Sequence, residues 1–273
     1  IVLKRLLFAA KRSLLGGLIV LATQIPQTQI AQAHTSNQIL SKPETEQELK
    51  DLFQRGQQLT EEQKFPEALI LYQHATSLDR KNPRIFSAIG YLQAVQANFQ
   101  EAVDAFQQAV ILDSKNANFY YALAYNLANL ENYPEAARAY RQTIALDTNN
   151  VNAYLGLGVV LLRQQDYGGA LTTFRQVTAI APKNSIAYRS IALILLQQEL
   201  YAEAIDVLEK AAKLAPRDST ILLDLGIARF GQGNVSEAIA IFERAARLDP
   251  NNGIIRLQIA KILQIQGNIE EAL

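Results

Sequence analysis

Seven alanines constrain this chain more than any other feature. Ala68, Ala102, Ala136, Ala170, Ala204, Ala238 and Ala272 follow one another at intervals of 34 residues, with no insertion between them. The residues around them repeat as well: stretches 65–79, 99–113, 133–147, 201–216 and 234–252 are copies of one pattern. A fixed period of this length marks stacked helix pairs, because one pair cannot bury its apolar face alone and needs the next copy. In such an array each copy touches only its neighbours, so length does not count domains.

Within the period, apolar residues fall at i, i+3, i+4 and i+7, which puts them on one face of a helix. Two helices, A and B, fit in each copy. Helix A carries apolar residues at repeat positions 4, 7 and 11 and a small residue at 8. Helix B carries a small residue at 20, an aromatic or leucine at 24 and a small residue at 27. Small residues let two backbones approach, and a larger side chain there overpacks the contact. Pro66 and Pro134 suit the first turn of helix B, where a missing N–H costs nothing. Pro182, Pro216 and Pro250 stop helix B. Six full repeats result, 49–82, 83–116, 117–150, 151–184, 185–218 and 219–252, with a truncated seventh at 253–273.

At these residues the chain resembles the tetratricopeptide repeat family over about residues 49–273. The resemblance implies an all-α fold, a right-handed superhelical solenoid of stacked antiparallel helix pairs. It also implies a groove lined by helix A at positions 2, 5, 9, 12 and 13. Those positions hold Lys50, Phe53, Gln57, Arg84, Tyr91, Tyr121 and Tyr125 in the early repeats. Later repeats place Leu155, Val159, Leu162, Leu193, Leu196, Leu223, Ile227 and Phe230 there. A helix that is apolar nearly all round, as over 154–162, is either buried or binds something. Both readings stay open: a groove for a partner, or side chains interlocked with adjacent helices. Two specialisations of the family are absent. Phe53, Gln57, Ala88, Asn118 and Ala122 do not form a carboxylate clamp. Position 6 reads Gln54, Ala88, Ala122, Gly156, Ser190, Asp224 and Gln258, which is no asparagine ladder. Other departures are Arg55, Arg229 and Arg256 at usually apolar positions, and Thr143 and Val177 at small ones. Gly168 and Gly169 are expected to loosen the start of their helix B.

No constellation for catalysis, a metal or a cofactor is found. Cysteine is absent, which removes disulfides, thiolate ligands and thiol nucleophiles. The two histidines, His34 and His74, lie far apart in the chain. Gly156 and Gly158 fall mid-helix and follow no strand, so they read as packing residues rather than a dinucleotide turn. Glu67, Glu101, Glu135, Glu203, Glu237 and Glu271 recur once per repeat, in the first helix B turn, where carboxylates favour the helix dipole. The sequence therefore points to a non-enzyme that binds a protein or peptide. Nucleic acid is not expected as a partner. Beyond residue 33 the chain has 22 basic and 26 acidic residues, a net charge of −4, and no basic stripe.

The first 33 residues differ from the rest. Lys4, Arg5, Lys11 and Arg12 precede an apolar run over 14–22, and Ala31 and Ala33 stand before His34 in the small-x-small pattern. This is the layout of a secretory signal peptide, with cleavage after Ala33 or after Ala22. An uncleaved membrane anchor is the alternative, although the run is about half of the ~20 residues that cross a bilayer. Export to a periplasm or equivalent lumen follows from the first reading. Residues 34–48 read as a flexible tether. The leading expectation is an exported scaffold that holds an apolar or amphipathic segment in its groove. The alternative is a recruiting arm of an enzyme whose catalytic domain lies beyond Leu273.

Overall fold

A computed structural model describes residues 43–267, with thirteen helices and no strand among them. The helices are α1 (Pro43–Glu61), α2 (Phe65–Leu78), α3 (Pro83–Val95), α4 (Phe99–Leu112), α5 (Ala117–Asn129), α6 (Tyr133–Leu146), α7 (Val151–Arg163), α8 (Tyr167–Ile180), α9 (Ser185–Gln197), α10 (Tyr201–Leu214), α11 (Ser219–Gly231), α12 (Val235–Leu248) and α13 (Gly253–Gln266). Odd-numbered helices are helix A of successive repeats and even-numbered ones are helix B. The all-α class and the stacked antiparallel pairs expected from the period are present. Helices α1–α7 form one compact unit that ends at Gln165, and α8–α13 belong to a second that runs on from Asp166.

Helix α1 starts at Pro43, so residues 43–48 are helical and not part of a tether. The rest of the expected tether, the leader with its apolar run, and Ala31, Ala33 and His34 lie outside the described residues. So does the beginning of helix B in repeat seven. Among the described residues no helix is long and apolar enough to cross a membrane.

Each helix A after the first is started by the last residue of the preceding repeat. Asn82, Asn116, Asn150, Asn184 and Asn252 each accept a backbone N–H through the side chain. Asp218 does the same for Thr220 and Ile221. Such caps satisfy one of the orphan donors of a first turn and contribute about 1 kcal/mol each. The five described helix B starts with a glutamate in the first turn, α2, α4, α6, α10 and α12, have no side-chain cap. Helix α8 is the contrary case. It has no such glutamate, and Asp166 accepts the N–H of Gly169 at 2.9 Å. The two glycines do not loosen this start: a Cβ on Gly169 would lie 2.4 Å from Asp166 Oδ2, so glycine is what admits the cap.

The turn from A to B repeats a backbone conformation. Gln63, Ala97, Glu131, Gln165, Glu199, Gly233 and Gly267 all have positive φ, at intervals of 34 residues. Five of the seven are not glycine, and a left-handed residue with a Cβ costs roughly 1–2 kcal/mol.

The periodic alanines are the tightest points of the core. Ala68, Ala102, Ala136, Ala170, Ala204 and Ala238 are fully inaccessible. Position 8 faces position 24 inside a repeat: the ring of Tyr72 fills the space over Gly56, Phe106 that over Gly90, and Phe242 that over Gly226. Between repeats three and four, Tyr140 sits over Gly156 in the same way. The larger residues at small positions are accommodated. Thr143 is buried with its hydroxyl donating to the Ala139 carbonyl at 3.0 Å, and Val177 is fully buried. The three unexpected arginines are explained singly. Arg55 is exposed on α1. Arg256 is exposed and donates to the Pro250 carbonyl. Arg229 pairs with Glu209 at 2.7 Å and Glu237 at 3.3 Å, which joins α11 to both adjacent helices B.

Candidate functional site

The residues expected along the groove divide into two sets. In the first unit, Phe53, Tyr91, Tyr125, Leu155 and Val159 are half-buried, on α1, α3, α5 and α7. Each keeps part of an apolar side chain in reach of solvent. Lys50, Gln57 and Arg84 are exposed beside them. The Arg84 guanidinium lies 5.7 Å from the Phe53 ring centroid, a cation–π contact. Phe53 meets Tyr72 edge-on, with centroids 5.4 Å apart and planes at 71°. Tyr121 repeats this arrangement with Tyr140, at 5.9 Å and 62°.

That contact changes what Tyr121 can do. It is 6% exposed, and burial pushes its hydroxyl up to about 12, with the nearby Tyr125 adding to the effect. Burial raises Tyr72 to about 12 as well, and Tyr140 well above the ordinary tyrosine value. The expected trio of tyrosines is thus two half-buried rings, Tyr91 and Tyr125, and one inward ring held by packing. Leu162, at the end of α7, is also buried.

In the second unit the expected positions are closed. Leu193, Leu196, Leu223 and Ile227 are all buried, and Phe230 alone of the five is half-buried. Eight successive residues of α9, from Arg189 to Leu196, are buried. Among these apolar side chains lies an ion pair that sequence reasoning passed over. Arg189 Nε donates to Asp224 Oδ2 at 2.6 Å, from position 5 of repeat five to position 6 of repeat six. Asp224 is 0% exposed, and its second oxygen, Oδ1, has no hydrogen-bond partner among the described residues. Loss of water raises its carboxyl to about 6, against the opposing pull of Arg189. The signal was available in the letters: an arginine and an aspartate at adjoining columns of two otherwise apolar helices.

Asn126 on α5 is a second buried polar residue. Its Nδ2 donates to the Ala122 carbonyl at 2.8 Å, and its Oδ1 has no hydrogen-bond partner among the described residues. His74 lies exposed on α2, with Nε2 3.6 Å from a Glu48 oxygen. Among the described residues no group of three or more His, Cys, Asp or Glu is placed to hold a metal ion.

Comparison with curated protein sequences gives no match. Solved structures do match, at low identity. A tetratricopeptide repeat protein from Parabacteroides merdae is 18% identical, covering 83% of this chain and 90% of its own, with a TM-score of 0.68. PilF of Pseudomonas aeruginosa is 16% identical, covering 80% of this chain and 99% of its own, with a TM-score of 0.65. YrrB, described as a tetratricopeptide repeat protein with an unusual peptide-binding site, is 17% identical over 67% of this chain and 95% of its own, at a TM-score of 0.58. These likenesses establish the fold alone. The family model for the tetratricopeptide repeat matches residues 121–185, 165–219, 189–253 and 223–273, together more than half of the sequence. With the 34-residue period, the paired helices and this match in hand, the chain is a member of the tetratricopeptide repeat family.

Proposed function

We propose that this chain is a non-enzymatic scaffold that holds an apolar or amphipathic polypeptide segment along helices A of its first unit. The observation that carries the reading is the ladder of half-buried Phe53, Tyr91, Tyr125, Leu155 and Val159. A fully buried apolar side chain contributes roughly 1.5–3 kcal/mol, so covering the remainder of each of these contributes roughly 1 kcal/mol. Tyrosine adds a hydroxyl to an apolar ring, which suits a segment with mixed chemistry. An interaction scaffold is the general role that the family supports, and the peptide-binding site described for YrrB is a precedent on a similar fold. The same proposal includes export by way of residues 1–33, on the strength of their basic start, apolar run and small-residue pair.

The test uses the full chain. A random-peptide display library is panned against it, with Leu155→Glu/Val159→Glu as the counter-target and circular dichroism to verify folding. The expected result is enrichment of apolar or amphipathic sequences that bind the parent and lose at least tenfold affinity for the variant. No enrichment, or sequences that bind both proteins equally, would remove the proposed groove. Leu193 and Leu196 are unsuitable for such a test, because both are buried and a glutamate there would unfold the helix pair.

A further inference from the structure

Charge is distributed unevenly over the first unit. Helices α3, α5 and α7 contain Arg84 and Arg163 and no acidic residue. The helices B of the same unit, α2, α4 and α6, contain Glu67, Glu101, Asp104 and Glu135. Among the helices A, α1 alone mixes the signs, and its exposed Glu46 stands one turn before Lys50. Against this background, repeat position 2 forms a column of donors. It holds Lys50, Arg84, Asn118 and Asn152, all exposed. Residues three apart share a helix face, so Lys50 stands beside Phe53 and Asn152 beside Leu155. Arg84 reaches the same ladder across the repeat boundary, with its guanidinium over the Phe53 ring. Among the described residues neither Lys50 nor Arg84 takes part in an ion pair. In the second unit, by contrast, Arg189 and Arg229 on helices A each have a carboxylate partner.

We infer that the segment bound along the first unit is acidic at one end, with its carboxylates on Lys50 and Arg84 and its apolar remainder on Tyr125, Leu155 and Val159. This deepens the reading of that unit as a peptide groove and rests on it. Ammonium and guanidinium groups donate and never accept, so their complement is an acceptor, best a negative one. Arg84 suits a carboxylate, because a guanidinium presents two parallel N–H donors to its two oxygens. Lys50 adds a point charge at the same end. The column also sets the direction. Its cations stand in repeats one and two, and its neutral amides, Asn118 and Asn152, stand in repeats three and four. Carboxylates therefore belong over α1 and α3. Uncharged polar groups belong at the rim of α5 and α7, next to apolar side chains that reach the ladder. A bound segment would also displace water around these groups, and opposite charges are screened less there than in open solvent.

The random-peptide display library is panned against the full chain, Lys50→Glu/Arg84→Glu and Arg138→Glu/Arg141→Glu, with circular dichroism to verify each fold. The last pair makes the same change of charge on α6, a helix B, where both arginines are exposed. The expected result is that the parent and the α6 variant select sequences with Asp or Glu at one end and apolar residues beyond. The Lys50/Arg84 variant should select Lys or Arg at that end and keep the apolar part. One selected peptide is then labelled and compared, by fluorescence anisotropy, with a copy whose acids are changed to glutamine. The acidic form should bind the parent roughly threefold to tenfold tighter, the scale of two exposed ion pairs. The difference should vanish in Lys50→Gln/Arg84→Gln and shrink at high salt. Apolar sequences selected without an excess of acids overturn the inference while the groove reading stands. An acidic preference lost equally in the α6 variant overturns it too, since the attraction is then to the net charge of the chain. No enrichment on the parent removes the groove and this inference together. Should the charge-reversed protein fail to fold, the Gln/Gln variant carries the comparison: an undiminished preference for the acidic form overturns the inference.

Discussion

Gly156→Ala tests the packing on which the first unit rests. In most helices this change is favourable, because alanine is about 1 kcal/mol better than glycine in a helix interior. Here the new Cβ would lie 2.3 Å from Cζ of Tyr140 and 2.6 Å from both Cε1 and Oη. The ring cannot readily pivot away, since Tyr140 is 2% exposed and Tyr121 packs edge-on against it. Overpacking of a dense core costs about 1–3 kcal/mol. Two ring atoms and the hydroxyl oxygen inside contact distance put this case at the upper end, so after the propensity gain the net loss is about 1–2 kcal/mol. Urea denaturation followed by circular dichroism reads the shift of midpoint, and amide hydrogen exchange localises it to α6 and α7. Gly253→Ala is the matched control: a Cβ there meets nothing within 4 Å, so stability should be unchanged or slightly raised. The cycle is closed by Tyr140→Leu. In that background Gly156→Ala should lose most of its cost, giving a coupling of about 1 kcal/mol or more between the two sites. A Gly156→Ala protein as stable as the parent, or additive single changes, would refute the argument that the ring fixes the approach of these helices.

The turn residues and the buried carboxylate give two further expectations. Ala97→Gly should raise stability by about 1 kcal/mol, because φ of +61° strains alanine and not glycine, and urea midpoints measure it. Asp224 binds its proton more tightly in the fold than in the unfolded chain, with a pKa of about 6 against 3.8. Between those values the folded protein holds more protons, so stability falls as pH rises, by up to about 3 kcal/mol in total. Urea midpoints taken from pH 4 to 7 should show that fall in the parent and lack it in Arg189→Met/Asp224→Leu, and a flat parent profile would contradict the assignment.

The period was legible because it is written in residues with no freedom. An alanine at zero exposure, repeated six times among the described residues, admits nothing larger, so the same letter returns. The alternation of helices A and B followed from it, although α1 begins at Pro43, inside the expected tether. The A-to-B turns were not legible, because the left-handed position is held by Gln63, Ala97, Glu131, Gln165 and Glu199 as well as by glycine. The Asx caps were visible as letters, but their role depends on the backbone donors they satisfy, which only the fold puts in place. Burial along helix A was the least legible property. Tyr121 and Tyr125 are the same residue one turn apart, yet Tyr121 is buried edge-on against Tyr140 while Tyr125 is half-buried. An apolar letter at position 5 or 9 is compatible with a groove wall or with a packed joint, and the neighbour decides.

Charged letters inside apolar helices separate more sharply, because each one must be accounted for in hydrogen bonds. Arg229 was an anomaly in the sequence and becomes a joint in the structure, hydrogen-bonded to Glu209 and ion-paired with Glu237, although its Nε makes no hydrogen bond among the described residues. Arg189 and Asp224 passed unnoticed in the sequence and leave an acceptor unmet in the structure. A buried charge that lacks its full set of hydrogen bonds is costly, and two apolar side chains in place of the Arg189–Asp224 pair would often be neutral or stabilising. Buried and half-buried charge therefore marks where repeats five and six are joined, through Arg189 to Asp224 and through Glu209 to Arg229.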